Sequence, residues 1–297
     1  LAMFSELDDP ANMAFALCNI ATGLQLSGEH SMAIEYFNRS LEIKECPLRV
    51  KNQSLRLLGE VYIKKGELTL ALPYLQESLP SSRKSGDNMN YGSNLYHLGH
   101  LYQMKGNLDM AIEYYEQALK LAKEIDYPLL TAWMFYRLVI SNLDRESYDQ
   151  ANLYSNQLEQ MSKEHDFFIA FQDLCKALIL KKTLRISQLA NAEKILKQLV
   201  KDANIYQELK VLSLVNLCDL YLTELTITNN STILDDLDPL IVELLKIAEE
   251  QNSPSLVAEA KLLQGRVALI KLNLDLARQF ITQAQQIAEE HDFNLLA

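Results

Sequence analysis

Apolar and polar positions along this chain recur in one frame with a period of about 40 residues. Met110-Ala111-Ile112-Glu113-Tyr114-Tyr115-Glu116-Gln117-Ala118-Leu119 repeats the pattern of Met32-Ala33-Ile34-Glu35-Tyr36-Phe37-Asn38-Arg39-Ser40-Leu41. The frame returns at Leu70-Ala71, Gln150-Ala151, Asn191-Ala192 and Leu276-Ala277. Its marker alanines, Ala33, Ala71, Ala111, Ala151, Ala192 and Ala277, are separated by 38, 40, 40, 41 and 85 residues. The last gap is two periods, because a worn copy puts Leu237 in the marker place, which makes seven copies.

A second set of small residues stands twelve positions before the marker in most copies: Ala21, Gly59, Gly99 and Gly265, with Val139 in the fourth; Ala177 and Cys218 hold the place in the two copies with longer connections. Between the two small positions lie turn signals, Ser27-Gly28-Glu29, Lys65-Gly66-Glu67 and Lys105-Gly106-Asn107. Glycine just past a helix end adopts the left-handed conformation at little cost and satisfies the last carbonyls. Each copy is therefore expected to be a helix A, a tight turn and a helix B. The small residues mark where the two helices cross too closely for a long side chain.

These residues resemble the tetratricopeptide repeat over nearly the whole chain. The third copy carries the pattern most fully, in Leu98, Gly99, Tyr102, Gly106, Ala111, Tyr115 and Ala118; the second departs at Ser78 and the first keeps Ala21, Gly28, Ala33 and Phe37. The period exceeds the usual 34 or so. The extra length follows helix B, in echoes such as Ala122-Lys123-Glu124-Ile125-Asp126 and Ala248-Glu249-Glu250-Gln251-Asn252. This looks like the long-repeat variety found in kinesin light chains and in the sensor arms of bacterial and archaeal signalling regulators. The resemblance implies an all-α fold, a right-handed α-α superhelix of about seven helix-turn-helix repeats. Expected bounds are 11–46, 49–86, 89–126, 129–166, 168–204, 207–252 and 255–292 within a single domain over 1–297. Residues 293–297 read as the start of a further helix, and the chain as a piece of a longer protein. Asn229-Asn230-Ser231-Thr232 is expected in an exposed loop of an insertion in the sixth copy.

Composition agrees with helix and narrows function. Nine Gly and seven Pro are too few for a sandwich or barrel. With 28 Lys+Arg against 39 Asp+Glu the formal net charge is −11, which speaks against nucleic acid as a partner. Residues 1–150 carry 14 basic and 19 acidic groups, and the rest 14 and 20, so no charged tail stands out. No apolar stretch approaches the 18 or so residues of a membrane span. Cys18, Cys46, Cys175 and Cys218 are far apart and read as reduced thiols of a cytoplasmic protein.

Catalytic signatures are missing: there is no phosphate loop, no GxSxG and no HExxH. His97 and His100 share a helix face, but without two further ligands the spacing is no zinc signature. No cofactor, no metal and no enzyme activity are expected. In tetratricopeptide arrays the A helices line the concave side, and the resemblance carries that role onto Asn19, Arg56, Lys64, Tyr96, His97, His100, Tyr136, Arg137, Lys181, Asn216 and Arg266. Trp133 is open to either core or groove. Over the mapped groove six basic residues outnumber the acidic Glu60, Asp144, Asp219 and Glu259, so an extended peptide with acidic residues is favoured. The chaperone-tail clamp needs Lys and Asn where Cys18 and Thr22 stand, so that ligand is not carried over. The leading expectation is a non-enzymatic scaffold that binds a peptide or partner domain in its groove. The alternative is the ligand-sensing arm of a larger signalling or transcription regulator. The sequence leaves the oligomeric state open.

Overall fold

The computed structural model describes residues 9–183, 185–291 and 293. The further helix expected at 293–297 thus lies, apart from Phe293, outside the described residues. Among the described residues there are fourteen α-helices and no strand: α1 (Pro10–Leu26), α2 (His30–Glu42), α3 (Leu48–Lys64), α4 (Leu68–Ser85), α5 (Asn88–Met104), α6 (Leu108–Glu124), α7 (Pro128–Asp144), α8 (Tyr148–Glu164), α9 (Ile169–Lys182), α10 (Ile186–Lys201), α11 (Gln207–Thr228), α12 (Ile233–Glu250), α13 (Pro254–Ile270) and α14 (Leu274–Glu290). A 3₁₀ turn over Asp166–Phe168 leads into α9. The fold is an all-α helical repeat in which odd-numbered helices are the A members and even-numbered ones the B members.

The chain forms two compact units. Among the described residues, unit 1 comprises 9–126 with Glu250–Pro254, 290–291 and 293, and unit 2 comprises 127–249 with Ser255–Glu289. In unit 1, α1/α2, α3/α4 and α5/α6 pack as hairpins, and α1, α3 and α5 also touch one another in a row. In unit 2, α7/α8 and α9/α10 do the same, with α9 touching both α7 and α11.

Local chemistry sets the ends. Asp9, Asp87 and Asn107 cap their helices by accepting from the backbone N–H of Asn12, Asn90 and Met110. Gly28, Gly66 and Gly106 take positive φ, and the next amide donates to a carbonyl five residues back, as Glu67 N–H does to Tyr62 at 2.8 Å. The fourth and seventh copies make the same turn with Glu146 (φ 60°) and Leu272 (φ 58°). Gly66 also lies against the ring of Phe293, within unit 1: a Cβ there would stand 2.6 Å from Phe293 Cζ.

The marker positions Ala33, Ala71, Ala111, Ala151, Ala192, Leu237 and Ala277 are all buried. At the crossings, a Cβ on Gly99 would meet the Tyr115 ring at 2.5 Å, and one on Gly59 would meet Leu75 at 2.6 Å. Each of these partners stands four residues after a marker alanine. By the same register Val139 stands opposite Ser155, so a larger A residue is matched by a smaller B residue. Stacked tyrosines recur one period apart, Tyr62 on Tyr74 and Tyr102 on Tyr114, with ring centroids 5.5 and 5.6 Å apart.

The serines that replace alanine near the end of helix B have a use. Ser40 Oγ donates to the Ala14 carbonyl and Ser78 Oγ to the Asn52 carbonyl, both at 2.9 Å across the hairpin. Asn94 Nδ2 of the next copy then donates to Ser78 Oγ at 2.9 Å. A buried hydroxyl is tolerated because it is bonded on both sides.

In the sixth copy the added length goes mostly into α11, which runs 22 residues. The 229–232 loop is exposed, as expected, with Asn229 at φ 52°. Contrary to the sequence expectation, α11 is long and apolar enough by composition to cross a membrane; 56% of its most apolar window is buried inside the protein, as in a core helix.

Candidate functional site

The polar side chains of the A helices gather into one cluster in each unit. In unit 1 the centre is Glu60 of α3. Its Oε1 accepts from Gln25 Nε2 of α1 at 2.7 Å and from Lys64 Nζ at 2.8 Å. Its Oε2 lies 3.5 Å from the Arg56 guanidinium and 3.4 Å from His97 Nε2 of α5. Arg56 Nε donates in turn to Asn90 Oδ1 at 2.9 Å, and Asn90 is held by the carboxylate of Asp87. Three successive A helices thus meet on one carboxylate.

Burial acts to raise the Glu60 pKa, but His97, Lys64 and Arg56 outweigh it and hold the carboxyl well below its ordinary value. His97 is lowered, chiefly by burial, with Glu60 opposing and Arg56 and Lys64 adding to the drop. A neutral imidazole protonated at Nε2 therefore donates to an ionised Glu60. Tyr96 sits edge-on to His97 at 5.0 Å and stacks on His100 at 6.2 Å. His97 thus faces Glu60 while His100 lies against Tyr96, and among the described residues no three or more His, Cys, Asp and Glu side chains gather as for a metal ion.

Unit 2 has a counterpart centred on Asp219 of α11. Lys181 Nζ of α9 donates to Asp219 Oδ2 at 3.0 Å and to Asn216 Oδ1 at 2.6 Å. The Arg266 guanidinium of α13 donates to the other Asp219 oxygen. Burial opposes ionisation of Asp219, yet Lys181 and Arg266 lower its pKa. Glu259 of α13 is half-buried nearby, and its pKa is pushed up to about 7 by burial, with Asp219 adding to the rise and Lys181 opposing it. Arg137 of α7 is buried and donates to Glu208 of α11 at 3.2 Å.

The structure therefore brings Arg56, Lys64 and His97 together, and Lys181, Asn216 and Arg266 together. Asn19 stands exposed on α1, apart from both clusters, and Tyr136 is fully buried with Trp133 edge-on to it at 5.9 Å. Trp133 is half-buried and also meets Phe171 at 4.9 Å. The candidate cations are not bare. Side-chain exposure is 47% for Lys64 and 41% for Arg266, but only 13% for Lys181 and 8% for Arg137. Sequence reasoning missed Asn90 and Glu208. Both lie in the first turn of their helices, and they reach Arg56 and Arg137 over separations of 34 and 71 residues, which local spacing does not signal.

The four cysteines are free thiols. Burial pushes Cys175 up strongly and Cys218 up to about 12, so neither is poised as a nucleophile.

Residues 51–124 match the family model described as tetratricopeptide repeat. No curated protein matches the chain. A tetratricopeptide repeat protein from Parabacteroides merdae is similar in fold, at 16% identity and TM-score 0.54, over 96% of this chain and 98% of that one. A signal transduction ATPase with numerous domains from Pyrococcus horikoshii, which carries a tetratricopeptide repeat sensor, is similar at 15% identity and TM-score 0.57. That likeness covers 95% of this chain but 43% of the ATPase.

Proposed function

We propose that this chain, which belongs with the tetratricopeptide repeat proteins, is a non-enzymatic scaffold whose A-helix face holds a peptide or partner domain. The observation that supports the reading is the convergence of side chains from three successive A helices on Glu60, repeated around Asp219. Such clusters are fixed before any ligand arrives, which lowers the entropy cost of binding. Acidic ligand side chains would address Lys64 and Arg266, the most exposed cations of the two clusters. They would compete there with Glu60 and Asp219 instead of meeting an open positive channel. Selection of a random peptide library on the whole chain tests this. Selected peptides should lose about tenfold or more in affinity with Lys64→Gln or Arg266→Gln, since each loses a charge-assisted contact. Lys120→Gln, exposed on α6, should leave affinity unchanged. Peptides indifferent to both cluster variants would refute the A-helix face as the site.

The likeness to the sensor-bearing ATPase supports a second reading, a ligand-sensing arm of a larger regulator. A selected peptide that changes the radius of gyration of the chain would favour it, and an unchanged radius would favour the passive scaffold.

A further inference from the structure

Charge is even between the two halves of the chain but not along it. Residues 176–210 hold eight of the 28 Lys+Arg and only three of the 39 Asp+Glu. That window is +5 in a protein of −11, so everything outside it sums to −16.

Part of this charge is concentrated on one face of α10. At 100° per residue, Leu189, Ala192, Leu196 and Leu199 point to the core and are buried. Ala190, Glu193, Lys194, Lys197, Gln198 and Lys201 fall on the outward side and line a shallow trough of about 310 Å³, open to solvent. With every lining residue on one helix it is a docking surface and not an enclosing ligand pocket. Glu193 is taken up by Lys197 at 2.7 Å and by the Tyr221 hydroxyl at 3.2 Å. Lys197 also lies over the Tyr221 ring, 5.4 Å from its centroid. These contacts fix one side of the trough. Lys194 and Lys201 are exposed and have no ion-pair partner among the described residues.

We propose that this outward face of α10 is a second docking surface, which takes a short acidic segment of a partner protein. The surface belongs to a B helix and shares no residue with the A-helix clusters. Three features select the occupant. Lys194 and Lys201 are seven residues apart, about 10 Å along the helix, which is about one Debye length at about 0.1 M salt. A few carboxylates span that distance, whereas a duplex or a bilayer would extend over the rest of the same unit, which sums to −9, and be repelled. The cations lining the trough are all lysine, with no arginine fork to grip a phosphate in two places. Among the described residues the only large apolar side chain exposed on α10 is Ile186, about two turns before Lys194, a small anchor for a membrane.

The test is fluorescence anisotropy on the whole chain with a labelled ten-residue glutamate-aspartate peptide at about 50 mM and about 200 mM salt. Binding should weaken with salt, and K194E/K201E should reduce affinity by about tenfold or more. K194Q/K201Q should give a smaller loss with an unchanged circular dichroism melt, and K120Q, exposed on α6, should have no effect. Loss with R266Q but not with the α10 variants would assign the peptide to the A-helix site and overturn the proposal. So would failure to bind at low salt. Phosphatidylserine vesicles and a single-stranded oligonucleotide are the competing probes. Tighter binding of either than of the peptide would overturn the choice of occupant.

Discussion

The A/B crossing in the third copy allows a sharp test of what the small residues do. Gly99 sits mid-helix in α5, where alanine would ordinarily stabilise a helix by about 1 kcal/mol. Here the new Cβ would lie 2.5 Å from Tyr115 Cε1 and 2.6 Å from Cδ1. Carbon pairs settle near 3.5–4.0 Å, so the ring would have to retreat by about 1 Å. Tyr115 is fully buried, and its hydroxyl donates to Gln103 Oε1 at 2.9 Å, so retreat also strains a buried hydrogen bond. Overpacking costs about 1–3 kcal/mol and a weakened buried hydrogen bond about 1 kcal/mol more. Against the propensity gain, the net expectation is a loss of about 1–3 kcal/mol. Urea unfolding followed by circular dichroism reads it as a lower midpoint. Gly59→Ala should also lower the midpoint, because its Cβ would stand 2.6 Å from both Cγ and Cδ2 of the fully buried Leu75. Gly23→Ala in α1 has nothing within 4 Å of its Cβ and should raise stability by about 0.5–1 kcal/mol. If Gly99→Ala and Gly23→Ala move the midpoint upward together, the steric account of the crossing is wrong.

Two further outcomes are expected. Leu272 holds a left-handed backbone while 84% exposed, so Leu272→Gly should raise the melting temperature, by about 1 kcal/mol of stability; a fall would mean that the side chain has a packing partner. Glu259 takes up a proton more readily folded than unfolded, so its contribution to stability is best at low pH. His97, whose lowered pKa acts in the opposite sense, is common to the wild type and Glu259→Gln, so the informative quantity is the difference between them. The stability of the wild type relative to Glu259→Gln should fall by about 1–3 kcal/mol as pH rises from about 5 to about 8, and a difference independent of pH in urea titrations would refute the assignment.

What the sequence determined by itself was everything that repeats. Alternating runs of helix-forming residues, the Gly turns and the marker alanines are local or periodic signals, and each acts at the position where it is written. They gave the all-α repeat, the helix pairs and the buried status of Ala33, Ala71 and Ala111. Turns made by Glu146 and Leu272 were less legible, because neighbouring helices impose the backbone there against residue preference. Only the tertiary structure decided what the polar side chains on the A helices do. A lysine or arginine at a groove register has the same sequence signal whether it is bare or bonded to a carboxylate on the next copy. Packing placed Glu60 within reach of Gln25, Arg56, Lys64 and His97, and Asp219 within reach of Lys181 and Arg266. Charge summed over half a chain also hid the basic face of α10, because helical rotation, not position in the sequence, sets which charges share a surface.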